Sequence, residues 1–213
     1  SRARGGAVGG AWGVCAWGYG GREASSSVLG HAVYRQPFAL DTSKRAISQA
    51  RWARWLVKNA SGIDVLHCGE IRPVGYAVGW AHIRTRIPYV LYVNGGDVLR
   101  EQEKTRKSVT KRISGRYLLE NASGIIANSA WTASVTRELM ESLSVKSVPP
   151  VAEIDLGTDP KQFHPSHDKG RLRSRWGVAG APIMITVARL VPHQGQDMGL
   201  QALARLHERF PDL

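Results

Sequence analysis

Short apolar runs recur along the middle of this 213-residue chain, and stretches with helical spacing separate them. Ile63-Asp64-Val65-Leu66-His67-Cys68, Tyr89-Val90-Leu91-Tyr92-Val93 and Gly124-Ile125-Ile126-Ala127 are each four to six residues long. Runs of that length, bounded by Gly, Pro or Asn, suit strands covered on both faces. Covered strands joined by helices build a parallel sheet with helices on both faces, a Rossmann-like α/β fold.

The helices follow from the same pattern. Ser43 is placed to N-cap a helix reaching about Asn59, with Ile47, Ala50, Trp52, Trp55 and Leu56 on its buried face and Ser61-Gly62 ending it. A second helix is expected over Gly75 to Thr85, and a long basic one after a turn at Asn94-Gly95-Gly96-Asp97. Asn128-Ser129 opens another, from Ala130 to about Leu143. Upstream, Val28 to Tyr34 reads as a strand closed by Arg35-Gln36-Pro37. Residues 1–27 are rich in glycine and show neither a period of two nor one of 3.6, so no element is assigned there. A glycine-rich loop close to a substrate is the functional reading of that stretch, and a flexible end the plainer one.

Ligands of parallel sheets bind at the carboxyl ends of the strands. Glu70, Asn94, Gly95, Gly96, Asp97, Asn128 and Ser129 all fall at that edge and are the candidate cleft residues.

Past Pro149-Pro150 the chain changes. A strand is expected over Val151 to Leu156, then a turn at Gly157-Thr158-Asp159-Pro160 and a polar connection with a short helix up to Gly180. The strand Ile183-Met184-Ile185-Thr186-Val187 leads into Ala188-Arg189-Leu190-Val191-Pro192-His193-Gln194-Gly195 and a helix from Gln196 to about Arg209. The expected organisation is thus an unassigned segment 1–27, a sheet domain 28–150, a connecting region 151–180, and the first strand and helix of a second domain from 181. One strand and one helix bury no core of their own, so the expectation is a second domain begun and not completed.

Composition narrows the function classes. Lys and Arg number 29 against 17 acidic residues, a formal charge of +12 that favours an anionic partner. Seven basic residues lie between Arg100 and Arg116 (Arg100, Lys104, Arg106, Lys107, Lys111, Arg112, Arg116), opposed there by Glu101 and Glu103. They form a solvated helix face or a patch for an anionic membrane surface. A nucleic-acid-binding module is the alternative class, but no zinc-finger spacing, RNA-binding aromatic signature or repeat supports it. The two cysteines, Cys15 and Cys68, suggest neither a disulfide framework nor a metal site, which fits a cytoplasmic protein.

Four segments in order, Asp64-Val65-Leu66-His67, Val93 to Asp97, Ile126-Ala127-Asn128-Ser129, and Ile154 to Asp159 followed by Phe163-His164-Pro165, resemble the family-4 glycosyltransferases of GT-B type. The strand and loop around Arg189 resemble that family's Gly-Arg-x-x-x-x-Lys-Gly donor motif. The resemblance covers about Ile63 to Leu213. It implies retaining, metal-independent transfer of a sugar from a nucleotide-diphosphate donor, with no cofactor, to a sugar or lipid-linked acceptor, at or near the inner face of the membrane. Arg189 would be the catalytic residue, and Arg189, Gln194 and Gly195 would bind the donor diphosphate. Two positions depart from the family pattern, with Gln194 where lysine is expected and Asn94 where histidine is common. The family's paired glutamates lie beyond Leu213 on this reading, so the 213-residue chain is expected to be inactive by itself.

Overall fold

The computed structural model describes the strands β1 (Gly13–Trp17), β2 (Ala24–Val28) and β3 (His31–Gln36), then residues 45–164, 170–178, 180, 182–191 and 194–210. The chain divides into two compact units, residues 1–157 and 158–213.

The first unit holds two sheets among its described residues. In one, β1 pairs in parallel with β3, and β2 pairs antiparallel with β3. Two strands therefore occupy the glycine-rich stretch that was left unassigned, and the strand expected at Val28 to Tyr34 is β3, shifted toward Gln36. Strand pairing is nonlocal, so a short segment with mixed side chains can be a strand without showing a period. Ser43 lies outside the described residues, as does the remainder of the glycine-rich loop.

The second sheet carries the fold forward. Its order is β4 (Leu66–Cys68), β5 (Tyr89–Val93), β6 (Gly124–Ala127) and β7 (Val151–Glu153), all parallel. The run from Ile63 contributes three residues of strand, and the run from Val151 also stops at three. Parallel neighbours need crossover connections, and helices supply them. α2 (Tyr76–Thr85) links β4 to β5, α3 (Gly95–Arg106) and α4 (Val109–Glu120) link β5 to β6, and α5 (Ala130–Ser142) links β6 to β7. Tyr89, Leu91 and Val93 are fully buried on one face of β5, in a core with Ile71, Leu118, Leu119, Ile125 and Leu139. The Tyr89 hydroxyl donates to the Leu118 carbonyl at 2.6 Å, which satisfies its polar end inside that core.

Three local corrections follow. In α1 (Arg45–Lys58), Ile47 is exposed and Ala50 lies outward too, while Ser48, Gln49, Trp52 and Ala53 are buried. The helix is rolled inward on its polar side because the Gln49 amide donates to the Pro73 carbonyl at 2.9 Å. The long basic helix is two helices, broken at Lys107-Ser108, with the Ser108 hydroxyl accepting from the Lys111 N–H as an N-cap. Asn94-Gly95-Gly96-Asp97 is the opening turn of α3 and not a free loop.

One buried ion pair ties the Ile71–Gly75 turn to α3. Arg72 reaches both carboxylate oxygens of Glu101, at 2.6 and 3.0 Å, and the Tyr76 hydroxyl adds a third bond at 2.5 Å. The Arg72 guanidinium also sits 4.1 Å from the centre of the Tyr76 ring. Gly115 makes room for this cluster, since a Cβ there would stand 3.0 Å from Glu101 Oε1 and 3.3 Å from the Tyr76 hydroxyl.

The second unit contains α6 (Arg171–Arg175) and α7 (Gln196–His207) among its described residues. The segment from Ile183 to Val187, expected as a strand, makes no ladder, and its side chains are exposed. A strand exists only by pairing with another, and no paired strand is described in this unit. No helix among the described residues is long and apolar enough to cross a membrane.

Candidate active site

Strands β5 and β6 end side by side, with Val93 opposite Ala127, and each is followed at once by a helix start. That places two helix N-termini, with their unpaired N–H groups, at one sheet edge. Asn94 is the N-cap of α3 and Ser129 the N-cap of α5.

A chain of polar side chains joins the two. The Asn128 amide donates to Asn94 Oδ1 at 3.0 Å, and Asn128 Oδ1 accepts from the Thr132 hydroxyl at 2.8 Å. Ser129 Oγ accepts from the Thr132 N–H at 3.1 Å and bonds the Thr132 hydroxyl at 3.0 Å. The four candidate positions Asn94, Gly95, Asn128 and Ser129 are thus brought into one constellation. Thr132 belongs to it as well and was not anticipated. Ser129-x-x-Thr132 is not a capping box, which has Glu or Gln in the last place, so the sequence carries no signal for it.

Asp97 holds this edge from beneath. Its two oxygens accept from the Asn94 N–H at 2.8 Å and from the Ile71 N–H at 3.0 Å, so α3 is tied to the turn after β4. Burial raises its pKa above the usual carboxylate value, and the backbone N–H groups pull it partly back down. Asp97 is 3% exposed with both oxygens engaged, which makes it a support for the cleft edge. Glu70 lies two residues past the end of β4, half-buried, just before the kinked turn Ile71–Gly75, in which Arg72 is extended.

Gly95 and Gly96 differ. A Cβ at Gly95 would collide with the ring of Trp131, whereas one at Gly96 would meet nothing within 4 Å. Trp131, in the first turn of α5, stays 56% exposed at this edge. An isolated exposed tryptophan in a helix carries no periodic signal, so nothing in the sequence marks Trp131.

In the second unit, Arg189, Gln194 and Gly195 lie in one short loop. Arg189 was expected at a strand end and stands instead in irregular chain. Its carbonyl accepts from the Val191 N–H at 2.9 Å and from the Gln196 side chain at 2.6 Å, and the Gln194 N–H closes onto Val191 at 3.0 Å. Gly195 is the N-cap of α7 with φ of 68°, the left-handed region that glycine enters without strain. The Arg189 side chain is exposed and forms no ion pair among the described residues. His193 lies outside the described residues. Among the described residues, no group of three His, Cys, Asp or Glu could hold a metal ion.

Comparison with known proteins adds the following. The family model Glycosyltransferase Family 4 matches residues 10–149. That match begins well before Ile63, where the resemblance was first legible, and ends before the Arg189 loop. A GDP-mannose-dependent alpha-(1-6)-phosphatidylinositol monomannoside mannosyltransferase of Mycolicibacterium smegmatis is 38% identical over 72 residues, 33% of this chain and 17% of that protein. Crystal structures of Anabaena HepE, with UDP-glucose and with UDP and glucose, superpose with TM-scores of 0.55 and 0.56 at 22% and 23% identity. They cover 72% and 81% of this chain, which spans 40% and 44% of theirs.

Proposed function

Because the chain belongs to Glycosyltransferase Family 4, we propose that it takes part in moving a sugar from a nucleotide-diphosphate donor to an acceptor hydroxyl, with retention at the anomeric carbon and no obligatory metal. The observation that carries this reading is the family match over residues 10–149 on a parallel sheet whose carboxyl edge presents Asn94, Gly95 and Asn128. In the reaction the bond from the anomeric carbon to the diphosphate oxygen breaks, and its electron pair leaves with the diphosphate. The acceptor oxygen bonds the same carbon and passes its proton to the departing diphosphate. Negative charge grows on the leaving group, so fixed positive charge there lowers the barrier.

Arg189 is the residue assigned to that task, since an exposed guanidinium offers paired donors to a phosphate. The start of α7 adds N–H groups and a positive dipole end, and Gln194 adds amide donors without charge. A guanidinium and a helix start in these roles replace the countercharge that a metal would supply. On the acceptor side, the Gly95 and Gly96 N–H groups at the start of α3 have no intrahelical acceptor and can receive a hydroxyl oxygen.

The test is transfer itself. The protein is incubated with radiolabelled GDP-mannose, on which the similar mannosyltransferase depends, or UDP-glucose, which HepE holds in its crystal structure, and a panel of sugar and lipid-linked acceptors. Labelled product with the donor's anomeric configuration, formed equally well in EDTA, is expected. An inverted product, or activity lost in EDTA, refutes the retaining and metal-independent parts. If the 213-residue chain makes no product, a version extended through a complete donor domain must do so for the assignment to stand.

A further inference from the structure

Trp131 keeps more than half of its surface in solvent, 56%, at a place where its ring is nevertheless held. It stands in the first turn of α5, and its six-membered ring meets Gly95 in the first turn of α3. A Cβ built on Gly95 heads for Cζ3, while Cε3 and Cη2, on either side of that atom, lie equally far away at 3.2 Å. A neighbour above the ring face would stand closer to those two carbons than this. Gly95 therefore touches the rim of the ring and covers neither face, and the exposure leaves a face open. An indole fixed at its rim presents a flat apolar surface in a set direction.

The residue before Gly95 supplies a polar counterpart. Hydrogen bonds run one way along this edge, from the Ser129 hydroxyl to Thr132 Oγ1, from the Thr132 hydroxyl to Asn128 Oδ1, and from the Asn128 amide to Asn94 Oδ1. The relay ends there. Asn94 Oδ1 is taken as an acceptor, and its Nδ2 donates to no partner among the described residues. Asn94 thus offers N–H at this edge and not oxygen. Adjacent Cα atoms are about 3.8 Å apart, which keeps that amide beside the residue that the indole touches.

A flat apolar face next to a directed N–H donor matches a pyranose ring. One side of such a ring carries C–H groups, which bury apolar area on an indole and set weakly positive hydrogens against its negative face. The ring's hydroxyl oxygens accept hydrogen bonds. We propose that Trp131 is a specificity-determining residue, the platform on which the acceptor's pyranose ring stacks while the Asn94 amide donates to one of its hydroxyls. Ser129, Thr132 and Asn128 are then positioning residues for that amide. This inference rests on the transfer reading of the same edge and adds to it the acceptor class, a pyranoside and not an open-chain or purely lipid alcohol.

The experiment is binding in the absence of any donor, read on the 213-residue chain with ¹⁵N-labelled tryptophan. Its seven tryptophans give indole N–H signals in the NMR spectrum, and the Trp131 signal is the one missing from Trp131→Phe. Methyl α-mannopyranoside and methyl α-glucopyranoside, titrated to about 100 mM, are expected to shift that signal saturably, with the millimolar affinity of so small a ligand. Sorbitol, which has the hydroxyls and no ring face, should leave it in place. Saturation transfer to the sugar protons reads the variants, and unmoved signals from the remaining tryptophans check that each is folded. Trp131→Ala should weaken binding about tenfold or more, the loss of one stacked ring, and Trp131→Phe by less. Asn94→Ser keeps a good helix cap and should weaken it about fivefold, the loss of one hydrogen bond. A Trp131 signal moved by neither pyranoside, or moved equally by sorbitol, overturns the proposal. So does wild-type affinity in Trp131→Ala, or displacement of the sugar by uridine, which would make the indole a seat for a base. No bond is formed in this experiment, so any of these failures leaves the transfer reading standing. Failure of that reading shows instead as an extended enzyme that makes no product while the Trp131 shift persists.

Discussion

Asn94 and Arg189 sit under opposite degrees of constraint. Asn94 is held by Asn128 through its side chain and by Asp97 through its backbone N–H, at the junction of a core strand and a helix. Arg189 lies in irregular chain whose backbone is closed by a few hydrogen bonds while its side chain points to solvent. In the first unit the geometry of the edge is built by packing, so substitutions there register as lost stability. In the second, an exposed guanidinium supports little of the fold, and its removal should register only in chemistry.

The sharpest way to break this contrast is at the support of the first unit. Glu101→Ala leaves Arg72 as an unpaired charge that is 14% exposed, and should lower stability by roughly 3–5 kcal/mol in urea unfolding. A loss below 1 kcal/mol would mean that water reaches the pair and that the edge is less constrained than described. Next comes Arg189→Ala, expected to reduce kcat/KM for transfer roughly 100-fold while the unfolding midpoint stays in place. Near-normal turnover would remove Arg189 from the site, and a large drop in midpoint would contradict its exposed position.

Smaller effects separate the adjacent glycines. Gly95→Ala must displace the Trp131 ring and should cost about 1–3 kcal/mol, with a shift in tryptophan emission. Gly96→Ala meets open space in a helical turn and should be neutral or stabilising by up to about 1 kcal/mol. Equal costs at both positions would show that the Trp131 contact is not what reserves Gly95.

The smallest effect concerns pH. Burial pushes the Cys68 thiol from 9.0 up to about 12. A group whose folded pKa is raised stabilises fully below its unfolded value and loses that contribution as pH climbs toward the folded one. Unfolding free energy should therefore fall by up to about 1.4 kcal/mol per pH unit above 9, and Cys68→Ala should reduce that slope. An unchanged slope would assign the alkaline loss to the buried tyrosines Tyr76 and Tyr89, whose hydroxyls are raised by burial as well.

What could be read early had local causes. Tyr89–Val93 and Gly124–Ala127 were legible to the residue because a strand covered on both faces needs an unbroken apolar run. The Asn128-Ser129 start of α5 was legible because a cap is a contact within one turn. Errors arose where a distant partner decided. Gln49 is buried because Pro73 offers it a carbonyl, and β1 and β2 are strands because β3 lies between them. Ile183–Val187 has strand-forming residues and no ladder, since propensity without a paired neighbour makes no sheet.

For the candidate site the division is the same. The sequence alone determined the α/β class, the carboxyl edge where Asn94 and Asn128 lie, and the family to which those segments point, because each depends on residues close together in the chain. Only the tertiary structure decided that Asp97 supports that edge from below, that Asn128 reaches Asn94 across the strand ends, and that Trp131 reserves Gly95. Those outcomes depend on groups that meet across 20 or more residues of sequence, such as the Ile71 N–H with Asp97 and Arg72 with Glu101. Such pairings arise only once the sheet has brought its strand ends together.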